Sequence, residues 1–305
     1  MLIEYRAAHI QHMQKALQQM NVQLTQVLSD ITGETGLHII RAIVAGERDP
    51  VTLAHYRDPR CQHSQDDLAK ALTGHYQAEQ VFALQQAVAW YDFYTAQLQA
   101  CDAEIERHYH TCPAAAEDLP PWPPTTKTHT HRKNAPAFDV RAQLYRLTGV
   151  DLTAIDGLNA STVQEVISEI GTQMDKWPTE KHFGSWLHLA PHTDISGGEV
   201  LRSHVLKGQN RAAQAFRLAA QAVSKTDTAL GAFYRRMRAR LGPEQAIVAT
   251  AHKLARIVYH VLKHREPYQP ISSDAYDQAQ RQRELNYLKR KAGQLGFNLV
   301  PQSTG

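Results

Sequence analysis

The chain has little cysteine and no pattern that would put it to structural use. Its 305 residues include three cysteines, Cys61, Cys101 and Cys112. An odd number without a Cys-x-x-Cys pair indicates neither a disulfide framework nor a zinc site. We therefore expect a reducing, cytoplasmic setting and no zinc ion bound through these cysteines.

Long apolar runs are lacking as well. A membrane span needs roughly 18 consecutive apolar residues. The most apolar helix-like stretch, residues 246–262, is interrupted by His252, Lys253, Arg256 and His260. The first ten residues place Glu4 and Arg6 among the apolar positions, which is unlike a signal peptide. The sequence thus predicts a protein without a membrane partner.

Charge is distributed unevenly along the chain. Residues 199–305 carry 18 Lys and Arg against 7 Asp and Glu, a net charge of +11. Residues 1–137 carry 11 against 15 and residues 138–198 carry 4 against 8, so both are acidic. A block this basic indicates a polyanionic partner, of which nucleic acid is the commonest. A solvated basic surface is the alternative.

Two stretches near the start have the pattern of coiled-coil helices. In residues 1–31, apolar residues alternate in steps of four and three, at Ile3, Ala7, Ile10, Met13, Leu17, Met20, Leu24, Val27 and Ile31. Residues 78–109 keep the same register at Val81, Leu84, Val88, Tyr91, Leu98 and Ile105. Glycines and two Asp-Pro pairs between the stretches mark turns. We expect an antiparallel helical pair with an inserted lobe, closed within one chain or between two.

Residues 113–136 contain six prolines and a Thr/His/Lys tract. Proline at this density excludes a continuous helix or sheet, so the pattern predicts an extended linker. His129 and His131 could bind a metal ion. Without cysteine or carboxylate companions, however, their spacing favours a solvated linker.

After the linker the pattern is helical nearly to the end, beginning with residues 138–148 and 152–171. In the second stretch, two short apolar helices flank a turn at residues 157–159, and Ser161 can cap the second helix. The unit looks like a helix-hairpin-helix motif, whose turn amides receive a DNA phosphate. That motif normally has a second glycine where this chain has Asn159, so a plain helical hairpin is the alternative.

Further helices are predicted at residues 211–223, 229–241 and 244–264. The middle helix places four arginines within two turns, at Arg235, Arg236, Arg238 and Arg240. The next has an apolar face that leaves Lys253 outside. Residues 281–291 are predicted to form a short basic helix or tail.

Residues 189–211 have no strong periodicity, and Pro191 with Gly197-Gly198 predicts a loop or turn between helices. Ser196 comes directly before the two glycines. Glycines let a backbone approach a phosphodiester, and cations neutralise charge in the transition state of phosphoryl transfer. A serine there could attack phosphorus if its proton were removed. Taken alone, Ser-Gly-Gly is also an ordinary turn.

The order of these motifs resembles a known family. Residues 177–191, the Ser-Gly-Gly stretch and residues 230–268 are similar to the C-terminal domain of DEDD-type insertion-sequence transposases. These are the IS one-ten and IS eleven-eleven groups, which are bridge-RNA-guided recombinases. The resemblance covers residues 150–268. It extends more loosely over residues 1–110, which look like the family's coiled-coil domain.

The resemblance implies that Ser196 attacks the DNA backbone and forms a covalent phosphoserine intermediate, with Gly197 and Gly198 allowing the phosphate to approach. DNA or guide-RNA phosphates are then expected at the basic positions Arg202, Lys207, Arg211, Arg235, Arg236, Arg238, Arg240 and Lys253. Two departures weaken phosphate contact. Glu199 stands where a cation usually follows the glycines, and His204 lies in a segment typically richer in Arg or Lys.

The family's acidic tetrad belongs to an N-terminal RuvC-like domain that binds divalent metal such as Mg²⁺. None of the four acids can be matched to this sequence, and Met1 already lies in coiled-coil pattern. We therefore expect the metal-binding domain to be missing and no metal ion or other cofactor to be bound by this chain. The resemblance also implies a bacterial, DNA-associated protein of the cytoplasm. The acidic pairs Asp66/Asp67 and Glu104/Glu106 are typical of solvated faces.

The predicted fold class is all-α. It comprises a long antiparallel coiled-coil-like arm (1–112), a Pro/Thr/His-rich linker (113–137), a helical DNA-binding transposase domain with a helix-hairpin-helix-like start (138–268) and a basic tail (269–305). The predicted function is DNA transposition, with DNA and a non-coding guide RNA as partners and a homo-oligomer formed through residues 1–110. The alternatives are a truncated, inactive remnant that still binds nucleic acid, and a helical adaptor protein.

The charge block predicts salt-sensitive nucleic-acid binding through residues 138–305. If six phosphates are contacted, log K falls against log salt with a slope of roughly −5, because counterions are released. Fluorescence anisotropy of a labelled DNA over a salt series measures this slope. Affinity that does not change with salt would contradict the prediction.

Overall fold

The computed structural model describes residues 1–116, 119, 134–205 and 208–300. The chain divides into two compact units. The first comprises Met1–His108 with Pro136–Phe138, and the second comprises Tyr109–Ala135 with Asp139–Gly305. The described residues are mostly helical, which confirms the predicted all-α class apart from one two-stranded sheet. None of their helices is both long enough and apolar enough to cross a membrane.

The first unit is built from helices alone. In chain order they are α1 (Leu2–Gln19), α2 (Leu24–Val27), α3 (Glu34–Ala45), α4 (Pro50–Ala54), α5 (Gln65–Ala71) and α6 (Ala78–Thr111), whose last turn belongs to the second unit. Local signals start the short helices. Asp49 caps α4 ahead of Pro50, and Ser64 with Asp67 forms a capping box on α5.

Helices α1 and α6 lie side by side in antiparallel order. The rings of Tyr5 and Tyr94 are 5.5 Å apart, and His9 stacks on Trp90 at 6.0 Å. Leu17 of α1 and Leu84 of α6 are buried in one core with residues of the intervening helices. This agrees with the predicted helical pair and inserted lobe.

The heptad pattern of residues 1–31 does not form one continuous helix. Helix α1 ends at Gln19, and Asn21 adopts a left-handed φ of 57°. The later apolar positions Leu24 and Ile31 are buried in the core of the inserted lobe, whereas Ile3 is 40% exposed. The prediction of a single coiled-coil helix was wrong because burial in the lobe satisfies the same apolar residues.

The second unit contains helices and a hairpin. Its elements are α7 (Val140–Thr148), a 3-10 helix (Leu152–Ala154), α8 (Ala160–Ile170), α9 (Glu180–Trp186), β1 (Pro191–Ser196), β2 (Glu199–Val205), α10 (Arg211–Val223), α11 (Ala229–Leu241), α12 (Pro243–His264) and α13 (Ser273–Gln294). The helices predicted at 211–223 and 229–241 are confirmed. The predicted helix at 244–264 begins one residue earlier, at Pro243.

Two local predictions were wrong. Residues 191–205 form an antiparallel β-hairpin rather than an irregular loop, because Gly197 and Gly198 adopt left-handed φ values of 60° and 85° and close a two-residue turn. Asn159, not Ser161, caps α8 by accepting a hydrogen bond from the Thr162 amide at 3.1 Å. The alternative of a basic helix at residues 281–291 is confirmed, although helix α13 is longer and starts at residue 273 after the cap Ser272.

Helix α12 lies at the centre of the second unit. Helices α9, α10 and α11 all pack against it, and α8 packs against α10. Its buried face includes Ala251, Leu254 and Val258. The Tyr259 hydroxyl donates a hydrogen bond to the Trp177 carbonyl at 2.9 Å, which ties α12 to the segment before α9.

The turn before α8 packs tightly on α10. Gly157 has a φ of 85°, and a Cβ there would lie 2.3 Å from Val223 Cγ2 and 2.7 Å from the Ala219 carbonyl oxygen. The glycine of the helix-hairpin-helix-like turn therefore has a packing role within this unit.

Replacing Gly157 with alanine should lower the free energy of unfolding by about 3 kcal/mol, because left-handed strain and a packing clash add together. Gly197→Ala is the matched control: its φ is 60°, but an added Cβ would meet nothing within 4 Å. The control should cost about 1 kcal/mol. Urea denaturation followed by circular dichroism measures both, and equal losses would contradict the proposed packing role.

Candidate nucleic-acid interface

Ser196 lies at the tip of the β-hairpin. It is the last residue of β1 and is exposed. Gly197 and Gly198 follow in the turn with open space where a Cβ would stand. The neighbouring apolar residues Ile195 and Leu201 are 64% and 68% exposed. The hairpin therefore presents this hydroxyl and a bare glycine backbone where a large partner can reach them.

Charged side chains below the tip are engaged with one another. Arg202, opposite Asp194 in the strand register, donates to that carboxylate through Nε. His192 Nε2 lies 3.3 Å from the same carboxylate, and the rings of His192 and His204 are 5.5 Å apart across the strands. This network braces the hairpin and occupies Arg202, which the sequence predicts to contact phosphate.

Three further predicted cations lie on helices α10 and α11 and not on the hairpin. Arg211, at the start of α10, pairs with Glu169 at 3.3 Å. Arg235 pairs with Asp227 at 3.2 Å and donates to the Thr226 carbonyl. Arg238 is exposed on α11, and Lys207 lies outside the described residues.

Five cations instead line one cleft of about 1030 Å³, here called the cationic cleft. They are Arg236, Arg240, Lys253, Arg256 and Arg283, contributed by α11, α12 and α13. The base of the hairpin forms another part of the wall through Pro191, His204 and Val205. Ser196 lies five residues along β1 from Pro191, about 17 Å at the usual strand rise.

Lys253 and Arg236 share two aromatic rings inside the cationic cleft. Lys253 Nζ lies 4.3 Å from the ring centre of Phe233 and 4.8 Å from that of Tyr276. The guanidinium of Arg236 lies 5.7 and 5.5 Å from the same two centres. Such contacts stabilise partly desolvated cations. They leave the positive charge uncompensated.

The local electrostatics show this imbalance. Burial, and next the charge of Arg236, lower the pKa of Lys253 to about 8. Burial also lowers the pKa of His252. Within the described part of the chain, the buried Nε of Arg236 has no hydrogen-bond partner. Unpaired cations in partly buried positions raise the free energy of the folded protein.

One carboxylate partly offsets the charge. Glu180, at the start of α9, accepts hydrogen bonds from Arg256 and His260 of α12. The hydrogen bond from Arg256 is the main cause of the lowered pKa of Glu180. The pair also fastens α9 to α12 beside the cationic cleft.

The sequence identified Arg236, Arg240 and Lys253 as nucleic-acid contacts but missed Arg256, Arg283 and Tyr276. The sequence pattern could have identified Arg256. Together with Lys253 and His260 it follows helical spacing, so the three residues share one side of α12. The part played by α13 had no such signal, because its apolar content is low.

No group of His, Cys, Asp or Glu within the described ranges is arranged to hold a metal ion. His129 and His131 lie outside those ranges. The described residues therefore do not fit the divalent metal that the resemblance implies.

Glu180→Gln should lower the free energy of unfolding at neutral pH by about 1 kcal/mol, since Arg256 and His260 are half exposed and screened. Because folding lowers the pKa of Glu180, its contribution is complete above the ordinary value of 4.5 and disappears as pH falls through the folded-state value. Urea unfolding at neutral and acid pH measures this, with exposed Glu266→Gln as control. A difference from wild type that persists in acid would contradict it.

Comparison with known proteins places the hairpin inside a recognised segment. No curated protein is significantly similar to the chain. Residues 151–235 match the family model described as the transposase IS116/IS110/IS902 family. The matched segment runs from the 3-10 helix through β1, β2 and α10 into α11, so it contains Ser196 but not α12 or α13. This part of the chain is thus similar to a transposase domain of that family, which supports a function in transposition or recombination.

Proposed function

We propose that the chain acts in DNA transposition, with Ser196 as the nucleophile that attacks a DNA phosphodiester. The family match, which includes Ser196, carries this proposal. The basic block of residues 199–305 supports DNA as the partner. The exposed hairpin tip supports the assignment of the serine, because DNA is too large to enter a closed pocket.

In the proposed reaction Ser196 Oγ loses its proton and bonds to phosphorus, while the bond from phosphorus to one deoxyribose oxygen breaks. That oxygen takes up a proton and leaves as a hydroxyl. A hydroxyl of a second strand then attacks the phosphoserine, which restores Ser196 and joins the strands. The exposed amide of Gly197 or Gly198 can approach the phosphate oxygens without side-chain hindrance.

Further components are proposed from the resemblance. A divalent metal such as Mg²⁺ would be held by a separate acidic domain, since the described residues offer no cluster for it. A non-coding guide RNA would be the second nucleic-acid partner. Association of two copies through residues 1–110 is supported by Phe82, Trp90 and Phe93, which are 60%, 48% and 49% exposed on one face of α6.

A non-catalytic nucleic-acid-binding role is the second candidate, and one observation favours it. Glu199 is the direct strand partner of Ser196. A carboxylate at this position repels the phosphate that the serine would attack. In such a remnant, binding persists while strand transfer is lost.

We expect this chain alone to leave DNA intact. Strand transfer should appear in a plasmid transposition assay when an acidic α/β domain of the matched family is supplied with it. Ser196→Ala should then abolish transfer and the covalent protein–DNA adduct on a denaturing gel, because no other atom replaces Oγ.

Thr193→Ala is the matched control, since it removes an exposed hydroxyl from the same strand. It should leave transfer unchanged. Transfer by the Ser196→Ala variant would contradict the proposed function, whereas robust recombination by the unassisted chain would show that no separate acidic domain is needed. Binding without any transfer in the complete assay would favour the second candidate.

A further inference from the structure

The cationic cleft has more positive charge than its walls can balance. Lys253 and Arg236 face the same two rings, and Arg283 of α13 adds to the field at Lys253. Of the two carboxylates in the walls, Glu180 is already engaged by Arg256 and His260. Glu244 forms no ion pair with any described residue.

Gathering like charges at a half-buried position destabilises the free protein. Each cation in the cleft raises the energy of its neighbours, and desolvation adds to the cost. Apolar side chains of similar length would satisfy the packing between α11, α12 and α13 at lower cost. An anion that enters the cleft attracts each of these cations, and this attraction offsets their mutual repulsion.

We propose that the cationic cleft binds the phosphodiester backbone of a nucleic-acid strand, with one phosphate held between Lys253 Nζ and the guanidinium of Arg236. The identification of the anion as nucleic acid rests on the proposed function. The matched transposase segment ends at Arg235, before every cation of the cleft. The site therefore adds a contact surface that the family match does not assign.

Helix α13 is part of this site. It packs on α11, Tyr276 covers the two central cations, and Arg283 extends the positive surface along the same helix. A phosphate bound at Lys253 would interact with cations of α11, α12 and α13 at once, and would so hold the three helices together. The chain beyond residue 268 thus acts in binding rather than as a solvated tail.

The site binds a strand without being the reaction centre. The cleft meets the hairpin at its base, whereas Ser196 is at its tip, about 17 Å farther along β1. That length spans several nucleotides, at 3.4 Å per step of a duplex. A nucleic-acid backbone held in the cleft would fix the direction in which that strand continues to the hairpin.

Binding should depend on pH. Lys253 faces Arg236 from α11, Arg283 and Tyr276 from α13, and Arg256 with His252 on its own helix, while His204 of the hairpin lines the same cleft. The protonated amine attracts phosphate, and the neutral amine does not. Because the pKa of Lys253 is about 8 in the free protein, affinity should fall as pH rises above that value.

The test compares Lys253→Met and Arg236→Met with Lys225→Met in the full chain. Lys225 is exposed in the same unit and outside the cleft, so it controls for the loss of one charge. Fluorescence anisotropy with a fluorescein-labelled mixed-sequence DNA strand, and with the same sequence as RNA, is measured over a salt series.

Each cleft variant should bind both strands roughly tenfold more weakly, with a salt slope reduced by about one. Lys225→Met should change neither quantity by a comparable amount. Lys253→Arg should retain affinity, because it keeps the charge. The melting temperature of unliganded Lys253→Met should equal or exceed that of wild type, which shows that the variant is folded and that the charge destabilises the free protein.

The proposal is overturned if Lys253→Met and Lys225→Met bind the labelled strands alike. A melting temperature reduced in Lys253→Met but not in Arg236→Met would leave the Arg236 variant as the decisive one. If cleft variants bind normally while Ser196→Ala still abolishes transfer, the cleft site fails and the proposed function stands. If strand binding depends on Lys253 but no transfer depends on Ser196, the cleft site stands and the proposed function fails.

Discussion

The burial of one side of helix α12 is the constraint on which the second unit depends. Ala251, Leu254 and Val258 fix which side of the helix faces the core, and α9, α10 and α11 take their positions from it. At 100° per residue, His252, Lys253, Arg256 and His260 then fall within an arc of about 100° on the other side. The core and the cationic cleft are therefore two sides of one helix, and packing on one sets the geometry of charge on the other.

The cationic cleft and Ser196 differ in how firmly the fold holds them in place. The cationic cleft stands on packed helices, whose cations are held by aromatic rings and an ion pair to α9. Ser196 stands at the tip of a two-stranded hairpin, an element of marginal stability by itself. Besides the strand pairing, the Arg202–Asp194 hydrogen bond and the His192–His204 ring contact brace it across the strands. Among the described residues, Ser196 Oγ has no hydrogen-bond partner, so its activation depends on what binds to the hairpin.

Helical spacing predicted the long elements of the second unit well, because their apolar faces are continuous. The prediction from spacing failed where two different structures would bury the same apolar residues. The apolar positions 3 to 31 fit one coiled-coil seam, yet Leu24 and Ile31 are buried in a folded lobe after α1 ends. The Ser-Gly-Gly turn suggested a loop, because strands this short and polar lack a clear alternation. The cationic cleft needs residues from α11, α12 and α13, and only tertiary packing brings them together.

The number of arginines in α11 also overestimates how many of them line the cationic cleft. Arg236 and Arg240 are four residues apart and face the cleft, whereas Arg235 is used in an ion pair and Arg238 lies outside it. A net charge indicates the kind of partner, but packing decides which cations remain unpaired. Every cation of the cationic cleft lies after residue 235, beyond the matched transposase segment, whereas the serine lies within it. The proposed chemistry and the proposed strand binding are therefore assigned to successive parts of the same unit, joined at the base of the hairpin.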